Sequence, residues 1–171
     1  MTVELQRLTA PRAATVLALE LENRRFLDPY MPLRDETYFT EFAIAQRIAV
    51  REAERARGVA YAYLVVADGE VAGTLNLNDV IRGPFQSAHL GYWVAQTHNG
   101  RGIATAAVNL AVAEAFGSLG LHRLQAATLV HNRASQRVLE KNGFREIGTA
   151  LGYLCIAGEW QDHVLFERIT P

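Results

Sequence analysis

Apolar and polar residues alternate from Val3 to Leu8, which predicts a first strand. Pro11 suits the opening turn of a helix expected over Ala13 to Arg25. Asp28-Pro-Tyr-Met-Pro, with Pro29 and Pro32, predicts a turn or loop. Tyr38, Phe42, Ala45 and Ala49 fall at helical spacing, so a second, amphipathic helix is expected over Glu36 to Arg57. Tyr61 to Ala67 and Val71 to Ile81 flank Asp68-Gly69-Glu70, the signature of a hairpin. Gln86 to Ala95 reads as a further strand, and an alanine-rich helix is expected from Gly102 to Ser118. Arg123 to Val130 predicts a strand and Ala134 to Lys141 a short helix, ended by Asn142-Gly143. Phe144 to Ile156 and Trp160 to Ile169 complete the strands, joined by a turn at Ala157-Gly158. The order β-α-α-β-β-β-α-β-α-β-β implies a mixed α/β (α+β) sheet, mostly antiparallel and flanked by helices. With no linker, repeat or low-complexity tract, residues 1–171 are expected to form a single domain.

Composition narrows the class of function. Half of the 171 residues are hydrophobic and a fifth are charged, as in a globular protein with a substantial core. A formal net charge of −1 gives no general nucleic-acid or membrane footprint. No apolar run approaches the roughly 20 residues that a membrane helix needs. Met1 to Thr9 lacks a basic, apolar signal segment, and Cys155 is the only cysteine, so a reducing cytoplasm is the simplest expectation. In its Tyr-Leu-Cys-Ile run, Cys155 reads as a small buried hydrophobe. The histidines show no paired ligand spacing, so no metal is expected. His98, His122, His131 and His163 read as surface or structural residues.

The segment Gln96 to Thr105 carries the most chemistry. A glycine-containing turn there joins the apolar run Leu90 to Ala95 to the helical run Ile103 to Phe116. Unpaired N–H groups at a helix N-terminus, aided by the helix dipole, can hold a phosphate. Two phosphate motifs are excluded. Only Arg101 separates Gly100 from Gly102, against the four residues of the Walker pattern. Thr105 stands where the Rossmann pattern has its third glycine. Spacing alone leaves a phosphate cradle and a plain strand-to-helix turn both open.

The element order, with Gly-Arg-Gly-Ile-Ala-Thr opening the helix after the fourth strand, resembles the GNAT acyl-CoA N-acetyltransferases. The run Asn132-Arg-Ala-Ser135-Gln-Arg-Val138-Leu-Glu-Lys-Asn-Gly143-Phe144 supports the resemblance. The segments Glu22 to Glu36, Val80 to Phe85 and Tyr153 to Leu165 are similar to the RimJ branch, related to the RimL type, which acetylates the N-terminal alanine of a ribosomal protein. The resemblance implies acetyl-CoA as co-substrate, with backbone amides of Asn99, Gly100, Arg101, Gly102, Ile103, Ala104 and Thr105 around its pyrophosphate. It places the pantetheine arm along Trp93, Val94 and Ala95. An N–H of that strand, that of Val94, would face the charge developing on the thioester carbonyl. Asn132 and Ser135 would also contact the cofactor. Thr97 stands where many family members carry Gln or Arg, so the expected phosphate contacts rest on the backbone.

Two catalytic positions depart from the family pattern. His89 occupies the place of the usual glutamate base, and Leu139 that of the usual tyrosine acid. His89 is therefore the candidate base and Ser135 the candidate donor to the leaving thiolate. An exposed strand-end histidine and a helix cap are their structural alternatives. A proton-relay role stays open for Tyr92, Tyr153 and Asp162. The resemblance puts acceptor recognition at Asn23, Phe26, Tyr30, Arg34, Asp35 and Glu36, with Tyr153 opposite. The latter acidic residues would either steer a basic ribosomal tail or simply start a helix. The acceptor expected is the N-terminal amine of a protein, possibly ribosomal. A polyamine, amino acid or aminoglycoside is the alternative, and a non-catalytic acyl-CoA-binding regulator a third. Monomer and homodimer both stay open.

Overall fold

A computed structural model describes residues 1–170. Its strands are β1 (Val3–Arg7), β2 (Tyr61–Ala67), β3 (Glu70–Ile81), β4 (Ser87–Val94), β5 (Arg123–Leu129), β6 (Arg145–Ile156) and β7 (Glu159–Ile169). Its helices are α1 (Ala13–Leu27), α2 (Glu41–Ala56), α3 (Ile103–Phe116) and α4 (Arg133–Lys141). The strands form one sheet in the order β1-β2-β3-β4-β5-β7-β6. Every neighbouring pair is antiparallel except β4 and β5.

Both faces of the sheet are covered, which explains why β2 is a continuous apolar run instead of an alternating one. Its Tyr63 and Val65 join the larger core, with Leu90, Val108, Val112 and Phe166. Leu64 and Val66 point the other way, onto Val16 of α1 and Ile44 and Ile48 of α2. The sheet therefore divides the molecule into an α3/α4 side and an α1/α2 side. Helix α3 buries Ala107, Ala111 and Ala115, small residues that let it lie close against its neighbours.

The second helix differs from expectation. Glu36–Phe39 is a separate 3-10 turn, and α2 begins only after Thr40, whose backbone is extended. The reason is local capping. The Asp35 carboxylate accepts the Tyr38 N–H, and the Thr40 hydroxyl accepts the Ala43 N–H, each starting its own helix. Gly102 is likewise not helical: it adopts a left-handed conformation and caps α3. Cys155 is exposed, contrary to the buried reading. It lies on β6, the edge strand, opposite the exposed Trp160, where nothing covers the sheet.

Candidate active site

Parallel pairing of β4 with β5 covers only Ser87 with Arg123, Ala88 with Leu124 and His89 with Gln125. Beyond those residues the strands diverge, and the split opens a seam in the sheet. The Ala95 N–H donates to the Ala72 carbonyl, towards the β3 side. Backbone donors alternate along an antiparallel strand, so the Val94 N–H turns to the opposite side, into the seam. At Gly73 the neighbouring β3 backbone comes so near Trp93 that a Cβ there would overlap its carbonyl oxygen. Glycine is required for β4 to run this close at the height of Val94.

Above the seam lies the glycine turn. Gly100 and Gly102 have φ of +74° and +79°, and a Cβ at either would meet nothing within 4 Å. Their left-handed backbone favours glycine, and it leaves an open concavity at the start of α3. No side chain caps α3. The first-turn amides of Ile103, Ala104 and Thr105 therefore remain donors without helical partners. The Asn99 N–H is already engaged by the Gln96 carbonyl, so the expected amide set begins at Gly100. Ala95 is removed as an amide donor for the same reason, and Ile103 offers only its backbone, its side chain being buried. Beside the seam on β5, the buried Thr128 hydroxyl has no hydrogen-bond partner. An open glycine cradle, unpaired helix-start amides and an orphaned hydroxyl along a split in the sheet suit a phosphate joined to an extended amide-bearing arm, as in acetyl-CoA.

Below the cradle, Tyr92 crosses from β4 to α4. Its hydroxyl lies 2.9 Å from Ser135 Oγ and 3.2 Å from the Ser135 carbonyl oxygen. Burial pushes the Tyr92 phenol up to about 12, and the Ser135 hydrogen bond only partly offsets that. Tyr92 thus keeps its proton at neutral pH. Leu139, at the position of the family's usual acid, is fully buried in the core. Asn132 is the α4 cap, its carboxamide oxygen accepting the Ser135 N–H. Only its amide nitrogen is left for a cofactor.

The structure does not bring His89 to this place. His89 still lies within the closed ladder, opposite Asn78 on β3 and Gln125 on β5. It lines a cleft with Arg51 and Glu54 of α2. At about 3.3 Å per residue it sits roughly 17 Å along the strand from Val94, too far to touch an amine there directly.

The acceptor side is the α1/α2 face. Trp93 lines a cavity there with Arg24 and Leu27 of α1, and with Met31, Pro32 and Arg34 of the segment that follows. The tip of the β6–β7 hairpin closes over this segment, the Ala157 N–H donating to the Met31 carbonyl at 2.9 Å. Phe26, Tyr30 and His131 form an aromatic row with centroid separations of 6.2 and 6.1 Å, from the end of α1 to the loop before α4. Two expected substrate contacts are corrected. Asn23 is buried; its Oδ1 accepts the Gln96 N–H at 2.8 Å and its Nδ2 donates to the Leu19 carbonyl, so the carboxamide serves the fold and is closed off from an acceptor. Glu36 receives two hydrogen bonds from Arg24, which hold its carboxyl below its ordinary range, so it is no free steering charge. Asp35 is a cap. Arg34 stacks over Tyr38 and stays at the rim of the cavity.

Sequence reasoning passed over His163. It is buried on β7, with its ring 5.6 Å from that of Tyr153. Asp162 pins the bulge of β6 through the Gly152 N–H, which sets Tyr153 over His163. Their signal was the Trp160 to His163 run, but their juxtaposition depends on sheet register.

Comparison with known proteins agrees with this geometry. The family described as "Acetyltransferase (GNAT) domain" matches residues 4–145. The probable N-acetyltransferase YjcK of Bacillus subtilis is 35% identical over 172 residues, covering 99% of this chain and 95% of that protein. The [Ribosomal protein uS5]-alanine N-acetyltransferase of Escherichia coli is 34% identical over 153 residues, covering 88% of this chain and 78% of that protein. The solved structure of Mycobacterium smegmatis RimJ in complex with CoA-disulfide superposes with a TM-score of 0.95 at 32% identity, covering 98% of this chain and 82% of that one.

Proposed function

The chain belongs to the GNAT acetyltransferase family and is an acetyl-CoA-dependent N-acetyltransferase; from that premise we propose that its acceptor is the N-terminal α-amine of a protein, alanine first, and that the protein is ribosomal. The bridge from Ala157 to Met31 carries this reading. It ties the β6–β7 hairpin to the segment after α1 beside the Trp93 cavity, which favours a chain that enters by its end over one that lies across. The naming of the Escherichia coli relative for ribosomal protein uS5 alanine supports the same acceptor.

Acetyl-CoA supplies an activated thioester. The chain's own residues supply the rest. Amides from Gly100 to Thr105 hold the phosphates, and the Val94 N–H faces the carbonyl oxygen as charge develops on it. The Tyr92–Ser135 pair keeps a proton beside the sulfur. The amine must be neutral to attack. An α-amine with pKa about 8 is about one-tenth neutral at pH 7, against roughly four in ten thousand for a lysine, so an N-terminus asks little of a base.

A cationic small molecule fits less well. Of the two carboxylates that line this cavity, Glu20 is paired with Arg47, and Asp28 stands beside the cavity's own cations Arg24 and Arg34, so no acidic cluster is left for a polycation. Acetyl-CoA turnover with a panel of Ala- and Ser-initiated peptides, spermidine, free amino acids and an aminoglycoside tests the reading. Faster turnover of an alanine-initiated peptide than of any small amine is the expected result. Preference for a small amine would overturn the acceptor assignment.

A further inference from the structure

Register counting across the seam puts one histidine at the height of the reacting carbonyl, and it is not His89. The β4–β5 ladder pairs Ser87 with Arg123, so equal steps along both strands bring Trp93 level with Leu129. Leu129 pairs with His163 on β7. His163 is thus level with Trp93 and one residue short of the height of Val94. It also lies on the correct side. Val164 and Phe166 point into the α3/α4 core, and side chains alternate along a strand, so His163 points to the acceptor face.

Its hydrogen bonding fixes the proton. Nδ1 lies 2.9 Å from the Gln161 carbonyl oxygen. A carbonyl only accepts, so in the neutral ring Nδ1 carries the hydrogen and Nε2 is left with its lone pair. Nε2 has no partner among the described residues, nor is it among the sealed polar atoms that lack one. The ring is buried, and Nε2 keeps only a narrow opening to the outside. The ring is held by Tyr153 above it, itself fixed through Gly152 and Asp162. The charged groups along the same face of β7 are Glu159, exposed at the hairpin turn, and Glu167, which Arg123 of β5 and Arg145 of β6 already pair.

We propose that His163 is the catalytic base of this acetyltransferase, its Nε2 taking the proton of the acceptor amine. The assignment rests on the acetyl-transfer reading given above. As the C–N bond forms, the amine proton passes to Nε2. The C–S bond breaks with its electron pair going to sulfur, and sulfur receives a proton from the Tyr92–Ser135 pair. Water then exchanges both proton holders back to their starting states.

The tautomer is read first, by imidazole ¹⁵N NMR of the free protein, with no acyl donor present. The expected result is an Nδ1–H ring whose Nε2 signal moves when an Ala-initiated peptide is added. An Nε2–H tautomer, or an Nε2 signal that ignores the peptide, would overturn the proposal. Kinetics come second. His163→Gln is expected to lower kcat about a hundredfold with acetyl-CoA affinity unchanged. On the acid side, log kcat/KM should fall with slope two in the wild type, from amine and base together. In His163→Gln it should fall with slope one, from the amine alone. Slope two retained in His163→Gln but lost in His89→Gln would transfer the role to a water-bridged His89. A wild-type protein that acetylates none of the acceptors fails the functional reading itself, a result separate from all of these.

Discussion

The carboxamide oxygen of Asn23, in the third turn of α1, accepts the backbone N–H of Gln96, the first residue after β4 and its short connection, at 2.8 Å. A helix of the α1/α2 face thereby fixes the entrance to the glycine turn. Replacing Asn23 with alanine leaves the Gln96 N–H without that partner and costs about 1–3 kcal/mol. Urea unfolding should show that loss, and the KM for acetyl-CoA should rise. Asn23→Asp keeps an acceptor oxygen and should retain most of the cofactor affinity.

Tyr92 and Ser135 share a hydrogen bond and are expected to act as one unit. Tyr92→Phe and Ser135→Ala should each lower kcat about tenfold, below the usual hundredfold or more for loss of an acid–base group because a thiolate leaves readily. Acetyl-CoA affinity should change little. The double variant should be scarcely slower than the slower single one, since groups in one hydrogen bond are not additive. Multiplicative losses in steady-state assays would show that the two act separately.

Stability should fall on the alkaline side. Tyr92 holds its proton up to about 12 in the folded protein, against 10.0 for an unperturbed tyrosine, because burial penalises the phenolate. The folded state therefore binds the extra proton between those values. Its contribution is complete below about pH 10 and is lost as the pH rises towards 12, by up to about 3 kcal/mol. Burial and the Glu114 carboxylate raise Tyr63 as well, which adds to the slope. Urea unfolding at pH 8, 10 and 11 should show the decline, and Tyr92→Phe should make it shallower without abolishing it.

The glycine cradle separates binding from folding. A side chain at Gly102 meets nothing nearby, so Gly102→Trp costs only the left-handed backbone strain, about 1–2 kcal/mol. Acetyl-CoA affinity should nonetheless drop more than tenfold, because indole fills the approach to the amides. Calorimetric titration reads the affinity and thermal melting the strain. Unchanged affinity would remove the phosphate from this turn.

Most of the fold was legible because its signals are local. The β2–β3 turn carried Asp68-Gly69, both with positive φ, and α4 carried Asn132 before it and Asn142-Gly143 after it. The break between Phe39 and α2 was hidden because helical apolar spacing runs straight through two caps. Cys155 was misread because an apolar run does not reveal that its strand is the sheet edge. The glycine turn before α3 was visible, since its glycines and a helix start lie together in sequence. His163 was not, because its height is set by the register of β4 to β5 and of β5 to β7, three strands drawn from distant parts of the chain. Asn23 and Glu36 were misassigned for a similar reason: their partners, Gln96 and Arg24, appear only once the chain is folded.

Three residue pairs, from Ser87–Arg123 to His89–Gln125, are the whole ladder between the block β1–β4 and the block β5–β7–β6. Each block is antiparallel within itself and could hold its own shape while the other tilts. The line of least cohesion in the sheet is therefore also the line along which acetyl-CoA is proposed to lie. Whatever lies in it fastens the two blocks together by mass action on the closed form, and its departure returns to the sheet a freedom to flex about those three pairs.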